Sequence, residues 1–183
     1  MAESESIEKL YRLTVELGTT LDLEREVEIF LNWLARELRP RFAALYVTDD
    51  PKSKLEPLGG VNLERVSLPD VPLGEDFWRV LMEANPELAE REGPRYSVPL
   101  VLEGQLLGVL VVISGLRSEE WPRERKLATA AAGYLAPILR NIWRYQSLEE
   151  QVRVRTDDLV RSERKYRHLS QRLRLLREVD RAI

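Results

Sequence analysis

From Pro122 to the end of the 183-residue chain, no convincing helix stop occurs. Pro122 follows Ser118, Glu119 and Glu120 and suits a first helical turn, where its missing N–H would have had no partner anyway. Pro137 is then carried inside the helix as a slight kink, because nothing around it signals a turn. Leu127, Ala131, Leu135, Ile138 and Ile142 give the first half of this helix an apolar face suited to covering a sheet. The second half is charged and has no second long helix in the chain to lie against. A lone helix of that length is marginal in water, since helices owe most of their stability to a buried apolar stripe.

The partner is readable from the spacing. With Tyr145 at position a of a heptad, Val152, Leu159, Tyr166 and Leu173 follow at a, and Leu148, Leu169, Leu176 and Ile183 fall at d. Arg155 and Ser162 interrupt the d positions and Asp180 an a position, so the seam is not an optimised zipper. A parallel homodimer is the economical way to cover it. Interrupted seams suit a helix that must shift and a static tether almost equally, so the pattern alone separates signalling from scaffolding only weakly. Trp143 and Tyr145 flank the exit from the domain, where filling the core and forming an interface are equally consistent with the residues.

The remaining residues have the length of one ordinary core. Ile7, Leu10, Tyr11, Thr14 and Leu17 predict an amphipathic helix over 6–17. Asp22 offers an N-cap to a second helix, whose stripe runs Leu23, Val27, Phe30, Leu31, Leu34 and Leu38 before Pro40. The period then changes to two. Residues 41–48 alternate with apolar groups on both sides, which predicts a strand buried on both faces. A weaker strand is expected near 55–59, an irregular stretch to about 73, and a short helix over 75–82 with Phe77, Val80 and Leu81 inward. The clearest hairpin joins 96–102 to 106–114 through Glu103 and Gly104, and Gly108 within the second strand predicts close backbone approach or a bend.

Composition excludes several classes of function. Cysteine is absent, which removes disulfides, thiolate nucleophiles, iron–sulfur ligation and thioether attachment of a cofactor. His168 is the single histidine, so a zinc site would need several carboxylates and none is expected. There is no phosphate-binding glycine loop of either common spacing. The longest apolar runs are strand-sized, so this segment is expected to make no membrane contact, and an acidic N-terminus without an apolar stretch predicts a cytoplasmic location. Residues 144–183 hold 11 Lys/Arg against 7 Asp/Glu, leaving 17 against 24 for the rest. The signs alternate along the helix, which reads as solvated flanks, so no nucleic acid is expected as a partner.

The order helix, helix, strand, strand, short helix, hairpin, helix resembles the GAF domain. The resemblance is carried by LGTTLDLEREVEIFLNWLARELRPRFAALYVTDD, by SVPLVLEGQLLGVLVVIS and by SEEWPRERKLATAAAGYLAPILRNI. It implies an α/β chain of the α+β kind, with a central antiparallel sheet and the terminal helices on one face. The segment LEEQVRVRTDDLVRSERKYRHL resembles the connectors between sensory domains and histidine-kinase or other output modules. RLRLLREVDRAI resembles the opening helix of a second GAF domain, although chance similarity between amphipathic helices stays open. The expected division is thus a GAF-like domain over 6–145, a coiled-coil signalling helix over 146–172, and over 173–183 the end of that helix or the start of a further domain.

That resemblance places a ligand pocket between the sheet and the segments crossing it. The candidates there are Tyr46, Phe77, Trp78 and Tyr96, with Arg79 or Arg95 for an anion. A plain core filled by the same aromatics stays open beside it. Relatives that reduce methionine sulfoxide or bind bilins do so through cysteines this chain lacks, and the motif of the cyclic-nucleotide binders is absent. No cofactor and no catalytic residue is expected. His168 does not match the phosphoacceptor pattern, since Leu169 and Ser170 follow it. The leading expectation is a non-catalytic sensory and dimerisation module, with an unidentified small-molecule ligand and an output domain in a longer parent protein. A ligand-free dimerisation spacer and the sensor domain of a transcriptional regulator are the alternatives.

Overall fold

The computed structural model describes residues 2–48, 53–116 and 120–181, with side chains described between residues 4 and 167 of these stretches. The chain divides into two units, Met1–Ile142 and Trp143–Ile183.

In the first unit, α1 (Ala2–Glu16) and α2 (Leu23–Glu37) precede β1 (Phe42–Thr48) and β2 (Lys54–Val61). A two-residue β3 (Val71–Pro72), α3 (Phe77–Ala84) and a single-turn α4 (Glu87–Glu90) follow, then the hairpin β4 (Arg95–Leu102) and β5 (Gln105–Ile113). The helix α5 runs Trp121–Arg181, with Pro137 inside it. All strand pairs are antiparallel, in the order β3-β2-β1-β5-β4. This is the α+β architecture the sequence predicts, with the two-sided apolar strand β1 at the centre of the sheet.

Several local features follow from single residues. The Asp22 carboxylate accepts from the Glu24 and Arg25 amides at 3.0 and 3.3 Å and starts α2. Asp76 does the same for Trp78 and Arg79, which moves the start of α3 two residues past the expected position. Glu103 and Gly104 both take positive φ, 50° and 77°, as a two-residue hairpin turn requires. A Cβ at Gly108 would lie 2.2 Å from the Tyr46 carbonyl oxygen, so close backbone approach is the reason for glycine there. Pro99 is tolerated because β4 is an edge strand.

The sheet buries both faces. On one, Phe42, Ala44 and Tyr46 of β1 and Val111 and Ile113 of β5 join Leu55, Val71, Leu81 and Leu88. On the other lie Ala43, Leu45, Leu110, Val112 and Tyr96, covered by the long helices: a Cβ at Gly59, opposite Leu45, would come 3.0 Å from Leu31 of α2. Along α5, Ala128, Ala131, Ala132, Leu135, Ala136, Leu139 and Ile142 are all buried, while Ile138 is half-buried.

Helix α1 departs from the expected facing. Leu13 and Leu17 are buried, whereas Ile7 and Tyr11, read as inward, are each 67% exposed. The helix carries two apolar stripes, and the one through Leu13 brings the Lys9 carbonyl to the Trp33 indole N–H, which donates to it at 3.0 Å. The α1–α2 turn is then fixed by Glu26, fully buried, whose carboxylate accepts from the Gly18 and Thr20 amides at 2.8 and 3.0 Å. The short strand β3, the helical turn α4 and the extension of β2 to Val61 occupy stretches to which the sequence assigns no regular element.

Candidate functional site

The expected pocket residues separate into three places. Tyr46, Phe77 and Trp78 come together on the sheet face beneath α3. The Tyr46 and Phe77 rings meet edge to face with centroids 4.8 Å apart, and Phe77 and Trp78 are 6.3 Å apart. Tyr46 is fully buried, and its hydroxyl has no hydrogen-bond partner among the described residues. Burial, and after it the charge of Asp70, holds this hydroxyl well above the ordinary tyrosine range. Asp70 itself is joined to Lys54 at 2.6 Å, and Lys54 also reaches Glu56 at 2.8 Å, at the rim of the face. Leu63, Val66, Leu68, Val80 and Val109, all partly buried, pack around this cluster, so the surroundings of the Tyr46 ring are apolar.

Arg79 and Arg95 stand elsewhere. Arg79 is exposed and holds Glu83 at 3.2 Å and Glu75 on its other side, and these two carboxylates, Glu83 first, raise its pKa. Arg95 is exposed too, and donates to the Ala89 and Leu88 carbonyls at 3.2 and 3.5 Å, closing the end of α4.

Tyr96 lies on the opposite face of the sheet from Tyr46. Its hydroxyl donates to Glu124 at 2.6 Å and its ring stacks on Trp121 at 5.9 Å, so it belongs to the root of α5. Burial, then the hydrogen bond to Glu124, raises its pKa far beyond the usual range. The cause of the switch is a bulge. From the turn, Leu102 pairs with Gln105 and Val101 with Leu106, but the register shifts between Leu100 and Val101, so that Tyr96 pairs with Val112. Without that extra residue Tyr96 would oppose Val111, on the Tyr46 face.

Three groups that sequence reasoning missed organise the covering segments. Asn85, buried, accepts from the Ser67 amide at 2.7 Å and donates to the Ser67 and Leu81 carbonyls at 2.7 and 2.9 Å. Arg91 donates to the carbonyls of Arg41 and Asn62 at 2.8 Å and of Glu64 at 3.3 Å, and lies over the Phe42 ring. Glu124, 4% exposed, accepts from both Tyr96 and Ser114 at 2.6 Å. Asn85 before Pro86 is a readable turn signal. Arg91 and Glu124 carry no sequence signal, because their partners are remote in the chain.

In the second unit the helix side chains at Tyr145, Leu148, Val152, Leu159 and Tyr166 are 54, 49, 62, 71 and 70% exposed in the single chain. Trp143 is half-buried. Ion pairs within the helix, Glu150 with Arg153 and Glu163 with Arg167, occupy its flanks. Leu169, Leu173 and Leu176, and His168 beside them, have side chains outside the described ones, and Ile183 lies outside the described residues. Among the described residues no helix is long and apolar enough to cross a membrane, and no cluster of acidic or histidine side chains suits a metal ion.

No protein-family model matches the chain, and no curated protein matches it. Solved structures do. The GAF domain of a phosphoenolpyruvate-protein phosphotransferase from Coxiella burnetii superposes with a TM-score of 0.60 at 19% identity, over 78% of this chain and 96% of that one. The GAF domain of the potassium sensor histidine kinase KdpD from Escherichia coli matches with a TM-score of 0.53 at 16% identity, over 76% and 96%. The free methionine-R-sulfoxide reductase of Neisseria meningitidis, solved with its substrate, matches with a TM-score of 0.56 at 14% identity, over 76% and 91%. The fold is that of GAF domains.

Proposed function

We propose that this chain is a sensory and dimerisation module whose C-terminal helix passes a conformational signal to an output domain. GAF domains are in general non-catalytic regulatory modules, and the likeness to the sensor-kinase domain supports the same class of role here. The observation that carries the reading is the seam on the helix. Tyr145, Leu148, Val152, Leu159 and Tyr166 sit at heptad positions and are about half to two-thirds exposed in one chain, so a second parallel copy would bury them. The root of that helix is tied to β4 and β5 through Glu124, so strain in the sheet reaches α5 directly. The experiment is light scattering on the full chain, on a truncation after Leu148 and on Leu159→Asp. The proposal expects a dimer that weakens in both variants; an unchanged dimer in both removes the seam from the interface.

A ligand-free spacer is favoured by one observation, the apolar packing around Tyr46. Native mass spectrometry of the purified chain separates the two readings. A retained small molecule that Phe77→Ala releases supports sensing on the Tyr46 face. A chain that stays empty against a broad metabolite panel supports the spacer.

A further inference from the structure

On the helical side of the first unit, away from the Tyr46 face, a cleft of about 540 Å³ opens between the N-terminal half of α1, the α2–β1 turn, Gly115 and Leu116 after β5, and the first turns of α5. Its walls are held backbone to backbone. Arg39 takes a left-handed φ of 47°, and its carbonyl oxygen would lie 2.6 Å from a Cβ at Gly115, so only glycine lets the two loops meet there. Leu38 and Leu127 provide a buried apolar base, and Leu116 lies at the lip with 39% of its surface open.

The charges around the cleft sort themselves. Lys9 is engaged by Glu5 at 3.0 Å, Glu37 by Arg36 at 2.9 Å, and the two oxygens of Glu124 by hydroxyls. Arg39, Arg123 and Glu120 also line the cleft, and none of them forms an ion pair among the described residues. Two guanidinium forks beside an apolar base match one carboxylate with a hydrocarbon body. A dianion would meet the carboxylates of Glu120 and Glu124.

We propose that this cleft is a binding site for a small organic monocarboxylate with an apolar body, held by Arg39 and Arg123. Its occupant touches both the α2–β1 turn and the start of α5, and the site is independent of whether the Tyr46 face takes a ligand or the helix dimerises.

The test is a titration of the isotope-labelled full chain with sodium octanoate, followed by the amide resonances of Gly115, Leu116 and Arg123. The expected result is saturation, weakened about tenfold in Arg123→Gln and in Arg39→Asn, a residue that tolerates the left-handed backbone, and abolished in the double variant. Lys126→Gln, whose exposed side chain is outside the cleft, should bind like the parent, and Glu120→Gln should bind more tightly. Spectra of the variants away from the cleft report that they fold. Shifts that never saturate, or equal affinity in the double variant, overturn the proposal. Weaker octanoate binding in Glu120→Gln would contradict the charge complementarity the proposal rests on and overturn it as well. Inorganic phosphate binding as tightly as octanoate would remove the apolar body from the proposal and refute it in that form.

Discussion

Tyr46 and Tyr96 carry the same hydroxyl into opposite faces of one sheet, and deleting it should have opposite consequences. In Tyr46→Phe the lost oxygen is buried without a hydrogen-bond partner among the described residues. Burying such a hydroxyl costs about 1–3 kcal/mol in proteins, so the variant should gain about 1 kcal/mol. In Tyr96→Phe the loss is a 2.6 Å bond to a buried carboxylate, worth about 1.5–3 kcal/mol for a charged acceptor, so about 2 kcal/mol should disappear. Urea unfolding at pH 7 and fixed protomer concentration measures both. A second arm uses pH. Both hydroxyls stay protonated in the folded chain well above the ordinary tyrosine range, whereas in the unfolded chain they ionise near pH 10. Ionisation therefore costs the folded chain nothing below about pH 10, and stability falls as pH rises beyond it, by about 1.4 kcal/mol per pH unit for each tyrosine. Each phenylalanine variant should remove about 1.4 kcal/mol per unit from the alkaline slope. Lys54, raised by its hydrogen bond to Asp70, acts in the same direction and cancels in the comparison. A Tyr46→Phe chain less stable by more than about 1 kcal/mol, a neutral Tyr96→Phe, or unchanged slopes would refute the reasoning.

Three further substitutions probe the scaffold. Gly108→Ala forces a Cβ to within 2.2 Å of the Tyr46 carbonyl and should cost about 1–3 kcal/mol in chemical denaturation, as overpacking does. Asn85→Ala strands the backbone groups of Ser67; about 2–3 kcal/mol should be lost, and limited proteolysis should cut between residues 62 and 76 sooner. Glu26→Ala frees the Gly18 and Thr20 amides and should lower stability by about 2–3 kcal/mol, with faster hydrogen exchange in the α1–α2 turn.

Elements whose hydrophobic period is unambiguous were legible from the residues. Asp22 and the stripe from Val27 to Leu34 define α2, the two-sided run at 42–47 defines the central strand, and Glu103-Gly104 fixes the hairpin. The facing of α1 was not legible, because apolar residues lie on two sides of it and only the location of Trp33 and the sheet chooses between Leu13 and Tyr11. Nor was the placement of Tyr96. Its parity relative to Tyr46 depends on one extra residue in β5, Leu107, between Leu106 and Gly108; Gly108 signals a bend there but not which way the register shifts. The cleft at the root of α5 was invisible for a related reason: it is assembled from segments up to about 120 residues apart, joined where Arg39 meets Gly115.

Arg91 joins two stretches of chain that share no secondary structure: the residue before β1, Arg41, and the loop after β2, at Asn62 and again at Glu64. A connection of this kind makes the opening of those stretches collective. A stretch that lifts from the Phe42 side of the sheet must break its own bond to the guanidinium, which weakens the anchor that holds the other in place. Loss of the Arg91 guanidinium would therefore loosen the margin of the Phe42 side at several points at once.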